Sequence, residues 1–305
     1  ESLRLRQIVG DKAGIAESLY HLGNFRLMEE HDKTEARACV EESARLFREI
    51  GDRWGLARTV TDLGNVAKYT GDYDAVGPYY QEGLQLAREV GATSLLAYAL
   101  RQLGRLAHWY NHDPAQAAAL LEESVALYRG LNDKWGMSYA LQALGGVARL
   151  DGDYERATTY YEESLVLSRE IGDRGDVSLA RMNLGLVARA LGDYARAATL
   201  LRESLLVCRE IDWTLGCCFG LESLAGVAVD QGQATRAARL FGASEALRER
   251  IGIVVDPDDR PEYARDVAAA RRQLDETAFA AAWAEGRAMT LEQAVAYALE
   301  STIDR

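Results

Sequence analysis

The sequence predicts an all-α solenoid built from helix-turn-helix repeats, and two observations predict it. A short apolar-Gly-Asp turn recurs as Val9-Gly10-Asp11, Ile50-Gly51-Asp52, Val90-Gly91-Ala92, Leu131-Asn132-Asp133, Ile171-Gly172-Asp173 and Ile211-Asp212-Trp213, at spacings of 41, 40, 41, 40 and 40 residues. A period of that size marks stacked supersecondary units. Between the turns, apolar and small residues fall at i, i+3, i+4 and i+7, which gives a helix one buried stripe. Composition agrees: 48% of the 305 residues are hydrophobic and only 4 are proline, so there is apolar material for a core and little to break helices.

Taken in order, the opening ESLRLRQIVGD reads like ESLLVCREIDW farther along, the second half of a repeat. Residues 1–10 are therefore expected to be a partial repeat helix, and the chain a piece of a longer protein. Six repeats then run to about Gly252. The first helix of each carries the stripe Val60, Leu63, Gly64, Ala67, repeated as Leu100, Leu103, Gly104, Ala107 and as Leu141, Leu144, Gly145, Ala148. Glycine inside a helix costs about 1 kcal/mol relative to alanine. Its return at Gly23, Gly64, Gly104, Gly145 and Gly185 therefore calls for a compensating close approach by a neighbouring helix. A Gly-Asp-Tyr turn follows, as at Gly152–Tyr154, with glycine suited to the left-handed cap and aspartate to the next N-cap. The second helix is exemplified by Ala157, Tyr160, Tyr161, Leu165 and Leu167, with Arg169 near the negative end of its dipole. Pro78 falls in the first turns of its helix, where a missing N–H matters little.

After Gly252 the repeat breaks at IVVDPDDRPEYARD, a linker or ordered loop. Pro261 can open a helix to about Leu274, Asp275 can cap another through Glu285, and Thr290 with Gln293 has capping-box spacing before AVAYAL. Residues 1–252 are thus expected to hold the repeats, and residues 253–305 a linker and capping helices that cover the last apolar face.

The pattern L-G-x-x-A, an alanine twelve residues after that glycine (Ala157, Ala197, with Val76 as a variant) and then paired aromatics or leucines resembles the tetratricopeptide repeat in its long form of about 40 residues. The resemblance implies a right-handed superhelix whose first helices line a concave groove. Two departures stand out: Ala or Arg occupies the aromatic place three residues after the small residue, and Ala225 replaces glycine in the last repeat. The segments AARLFGASEALRERIG and AFAAAWAEGRAMTLEQAVAYAL resemble the C-terminal part of bacterial STAND-type signalling ATPases and LuxR-type regulators, relatives in layout of NLR receptors. That resemblance implies a cytoplasmic sensor with a nucleotide-binding domain upstream.

Several function classes are disfavoured. Acidic residues outnumber basic ones 47 to 35, and the net charge of −12 opposes direct binding to nucleic acid or an anionic membrane. No apolar run approaches the roughly 20 residues of a membrane span. The phosphate-binding, dinucleotide, zincin and nucleophile-elbow motifs are missing, so no catalytic role and no cofactor are expected. Cys39, Cys208, Cys217 and Cys218 form no C-x-x-C pair and read as buried thiols. Among the histidines, His21, His31, His108 and His112, only the last two have a metal-bridging spacing, and His112 falls at a predicted turn. Glu122-Glu123 and Glu162-Glu163 recur with the repeat and read as a solvated face.

The resemblance places five positions of each first helix in the groove: six and three before the small residue, and one, four and five after it. Repeats two to five then offer Arg58, Thr61, Asn65, Lys68 and Tyr69; Tyr98, Arg101, Arg105, His108 and Trp109; Tyr139, Gln142, Gly146, Arg149 and Leu150; and Leu179, Met182, Leu186, Arg189 and Ala190. The first repeat adds Tyr20 and Asn24, with Glu17 beside them, and the sixth brings Glu222 and Asp230. The twenty central positions hold six cations and no acid, whereas 47 acids in 305 residues would place about three there by chance. Arginine forks with tyrosine and tryptophan suit an extended peptide or an anionic ligand. Asn24 and Asn65 stand where family members hold a peptide backbone or terminal carboxylate, but the companion lysines of that clamp are missing and Thr61 stands in one of their places. The expected function is a protein-, peptide- or anion-binding sensor module, with acidic partners among those expected. The alternative is a structural scaffold that uses the convex face or the ends.

Overall fold

The computed structural model describes residues 2–28, 33–252 and 260–300, and all regular structure among them is α-helical. The chain divides into two compact units, Glu1–Leu144 and Gly145–Arg305. The first contains α1 (Ser2–Val9), α2 (Lys12–Met28), α3 (Lys33–Ile50), α4 (Arg53–Thr70), α5 (Tyr73–Val90), α6 (Thr93–Trp109), α7 (Pro114–Gly130) and most of α8 (Lys134–Leu150). The second contains the end of α8, then α9 (Tyr154–Ile171), α10 (Arg174–Ala190), α11 (Tyr194–Glu210), α12 (Thr214–Asp230), α13 (Ala234–Arg250), α14 (Arg260–Arg272), α15 (Glu276–Arg287) and α16 (Leu291–Leu299). After α1, even-numbered first helices alternate in sequence with odd-numbered second helices through α13; consecutive helices pack on each other from α2 to α7 in the first unit and from α9 to α13 in the second, as in helix-turn-helix repeats.

The turns explain the regularity. Gly71 takes φ +80 and its N–H bonds to Lys68 O at 3.2 Å, while Asp72 N bonds to Ala67 O at 2.9 Å. These bonds close the last carbonyls of α4. Asn132 and Asp212 stand in the same left-handed place at φ 53 and 55; short polar side chains tolerate that conformation better than other non-glycine residues do. Asp52, Asp153, Asp173 and Asp193 accept from the backbone N–H three residues on. Asp72 does not cap α5, because Arg37 Nη1 reaches it at 2.9 Å.

The recurrent helix glycines occur where a side chain of the second helix fills the space. A Cβ at Gly64 would lie under 3.0 Å from the Tyr80 ring, and one at Gly145 equally close to Tyr161. Gly104 and Gly185 stand in the same way against Leu121 and Leu201. A buried serine adds a polar fastening that the sequence reading did not anticipate. Ser43 Oγ donates to Ala16 O at 2.7 Å, Ser124 Oγ to Ala97 O at 2.7 Å, and Ser204 Oγ to Ser178 O at 2.9 Å, each tying a second helix to its first.

In the tail, Asp275 caps α15 and Thr290 with Gln293 forms the capping box of α16. α15 lies directly on α13: Cβ atoms at Gly242 and Gly286 would fall under 3.0 Å from the opposing backbone, and Phe279 and Ala282 are buried there. α16 covers α11, α12 and α13, with Arg236 Nη2 donating to Tyr297 O and Ala298 O at 3.0 and 2.9 Å. The expected linker at 253–259 lies outside the described residues.

Candidate functional site

In the first unit, the first helices α2, α4 and α6 bring the expected residues around an acid that the sequence reading passed over. Asp62, 8% exposed on α4, accepts from Tyr20 at 2.6 Å, Tyr98 at 2.7 Å, Asn65 at 3.0 Å and Asn24 at 3.4 Å. Asn65 Oδ1 in turn accepts from Tyr80 at 2.7 Å and from Gln102. The amide of Asn65 is therefore bonded at both ends within the protein. Burial first, and then the facing Asp62 carboxylate, holds the phenols of Tyr20 and Tyr98 well above the usual tyrosine range.

Around this hydrogen-bonded centre stand cations on aromatic faces. The Arg58 guanidinium lies 4.0 Å from the Tyr20 ring and 4.9 Å from Trp54, and pairs with Glu17. Lys68 and Arg105 both lie against Trp109, at 4.0 and 4.1 Å. Arg101, 8% exposed, has the Tyr98 and Tyr139 rings each 5.2 Å away. Its Nε is buried with no hydrogen-bond partner, and no carboxylate among the described residues pairs with it. One turn along from Tyr139, Gln142 is 7% exposed and both its amide atoms are unpartnered. Gln102 Oε1 is likewise unpartnered. Tyr69 is exposed, and His108 is half-buried on α6. α6 ends at Trp109 and His112 sits beyond it at φ 51, so the two histidines do not share a helical face.

In the second unit, the expected cations are already engaged. Arg149 on α8 pairs with Glu262 of α14 at 2.8 Å, and Arg189 on α10 pairs with Asp266 of α14 and Asp230 of α12, both at 2.6 Å. The Arg149 guanidinium holds the Glu262 carboxyl below its usual range against the opposing effect of burial. Met182 is buried and belongs to the apolar core of this unit, among residues such as Leu201 and Leu205. At the far end Glu222 accepts from Arg248 Nε and Nη2 at 2.7 and 2.8 Å.

Asp62 and Gln102 share one place, two residues before the small glycine, which the five-position reading did not include. An acid in the middle of an otherwise acid-free stripe is the signal that could have singled out Asp62. Trp54 and Trp135, both ten residues before a small glycine, are the other additions; Trp135 packs 4.6 Å from Tyr139.

Among the described residues no group of three His, Cys, Asp or Glu side chains is placed to hold a metal ion. None of the described helices is long and apolar enough to cross a membrane.

The tetratricopeptide repeat family matches residues 56–130 and 137–210. These segments are tetratricopeptide repeats. The aspartyl phosphate phosphatase F of Bacillus subtilis shares the fold, with a TM-score of 0.66 at 13% identity over 95% of this chain and 75% of its own. A Rap protein solved in complex with Competence and Sporulation Factor has a TM-score of 0.63 at 14% identity, over 90% of this chain and 77% of its own. A STAND protein of Pyrococcus horikoshii with a tetratricopeptide repeat sensor has a TM-score of 0.53 at 15% identity, covering 90% of this chain and 47% of its own. In sequence, a protein of Mycobacterium tuberculosis named as an HTH-type transcriptional regulator is 37% identical over 78 residues, which are 26% of this chain and 9% of that protein. The chain thus spans less than a tenth of the curated relatives it matches. Its tetratricopeptide repeats make it a protein-interaction scaffold.

Proposed function

We propose that the first-helix face of the first unit binds an acidic peptide or protein segment, and that these repeats are the sensing part of a larger bacterial signalling protein. Arg101 carries the first half of this reading. A guanidinium removed from water costs several kcal/mol unless a charge partner compensates it. Two tyrosine faces return only part of that, about 0.5–2 kcal/mol each. A ligand carboxylate would supply the rest, and the unpartnered amide of Gln142 suits a peptide group of the same ligand. The neighbouring Lys68, Arg105 and Trp109 extend the cationic and aromatic surface along the same helices. The second half is supported by the sequence likeness to a long regulator and by the fold shared with a STAND repeat sensor.

The test is a peptide-display selection on the full chain, counter-selected on Arg101→Gln. Enrichment of Asp- and Glu-containing peptides that ignore the variant is the expected result. Peptides that bind both proteins equally would move the interface elsewhere and favour a scaffold that uses another face.

A further inference from the structure

α14 is held in the second unit by a chemistry different from that of α15. Among its described side chains only Asp266 and Ala270 are buried, and its apolar contact is a fringe that includes Tyr263, edge-on to Phe241 at 5.4 Å, and Val267. Its specific contacts are ionic: Glu262 receives Arg149 Nη1 and Nη2 at 2.8 and 3.3 Å, and Asp266 receives Arg189 Nη1 at 2.6 Å. Glu262 and Asp266 are four apart and so share one face of α14. Arg149 and Arg189 are equivalent to one another, each four residues after a small glycine, on successive first helices. α14 therefore spans two repeats by meeting the same cation of each.

Two details show that this face is built to receive a carboxylate-bearing helix. Gly226 on α12 leaves room for the ion pair, since a Cβ there would lie under 3.0 Å from the Arg189 guanidinium and from Asp266 Oδ2. Asp230 also holds Arg189, at 2.6 and 3.2 Å, so the guanidinium keeps its orientation independently of α14. Desolvated, well-oriented cations of this kind gain most from carboxylates that replace water in fixed geometry.

We propose that the Arg149–Arg189 face is a docking surface for an acidic helix, that α14 is its resident occupant, and that a partner helix presenting two carboxylates one turn apart binds there by displacing α14. This surface lies in the second unit and does not depend on the Arg101 reading.

The experiment uses the full chain and a fluorescein-labelled peptide of residues 260–275, acetylated and amidated, as the probe. Glu262→Gln/Asp266→Asn releases α14 and leaves the cations in place, so it is expected to bind the probe at least tenfold more tightly than the parent chain. Gly226→Ala also releases α14 but spoils the receiving surface, so it is expected to stay weak. Hydrogen exchange in both variants should rise over 260–272 and stay unchanged over 276–299. In the parent chain, where folding is not in question, saturating peptide made with heavy carbon and nitrogen, so that its fragments differ in mass from those of the chain, should raise the chain's exchange over 260–272 alone. Probe binding equal in the double variant and the parent, exchange at 260–272 that does not respond to peptide, or loosening that spreads through 276–299 would each overturn the proposal and make α14 a fixed part of the cap.

Discussion

Tyr98 on α6 donates to Asp62 on α4 at 2.7 Å, and through that one carboxylate three successive first helices, α2, α4 and α6, are joined by hydrogen bonds. Solenoid repeats are held mainly by apolar neighbours, so a shared buried acceptor adds directional order to the face it lines.

Asp62→Ala leaves the phenols of Tyr20 and Tyr98 without their acceptor. With hydrogen bonds to a charged group worth about 1.5–3 kcal/mol each, the expected loss is about 3–5 kcal/mol for alanine and about 1–2 for asparagine. Urea unfolding followed by circular dichroism measures both.

Burial raises the phenol pKa of Tyr20, Tyr80, Tyr98 and Tyr263, and brings Tyr161 to about 12. A pKa raised on folding gives stability that is complete below the unfolded value of about 10 and is lost as pH rises through the folded value. Cooperative alkaline unfolding above about pH 10 is the expected result. Phenolate absorbance at 295 nm should rise together with helix loss rather than before it.

Gly64→Ala drives a methyl into the Tyr80 ring and is expected to destabilise by about 1–3 kcal/mol, outweighing the helix-propensity gain of about 1 kcal/mol. Gly77→Ala, whose nearest neighbour is Leu106 Cδ2 at 3.4 Å, is expected to be neutral or stabilising. The pair of thermal midpoints separates close packing from propensity.

Burial pushes the Cys217 and Cys218 thiols up to about 12 and about 11, and Cys208 is raised as well. Burial raises Cys39 too, but it is the one cysteine that is partly exposed, so one thiol per folded chain, Cys39, is expected to react with a disulfide reagent at pH 8, and four after denaturation. Rapid labelling of Cys217 or Cys218 in the folded chain would contradict their burial.

The repeat was legible because its signals are local. Left-handed glycines, capping aspartates and the stripe around Gly64 and Gly104 are fixed by residues a few positions apart, and the tail showed its caps at Asp275 and Thr290 in the same way. The site was legible only as a set of positions. Tyr20, Asn24, Asn65 and Tyr98 were singled out one helix at a time, but their convergence on Asp62 depends on side chains from three helices, which no spacing within one helix records. The same limit hid where α14 docks: that Arg149 and Arg189 meet Glu262 and Asp266 depends on contacts across 113 and 77 residues of sequence.

The central claim is that Arg101 is a ligand-binding cation, and the most direct measurement is calorimetric titration of a selected acidic peptide into the parent chain, Arg101→Gln and Arg101→Lys. The account predicts a loss of roughly 10- to 100-fold for glutamine, a smaller loss for lysine, and a parallel loss when the peptide carboxylate is replaced by amide. Equal affinity in all three proteins, with unchanged stability, would contradict it.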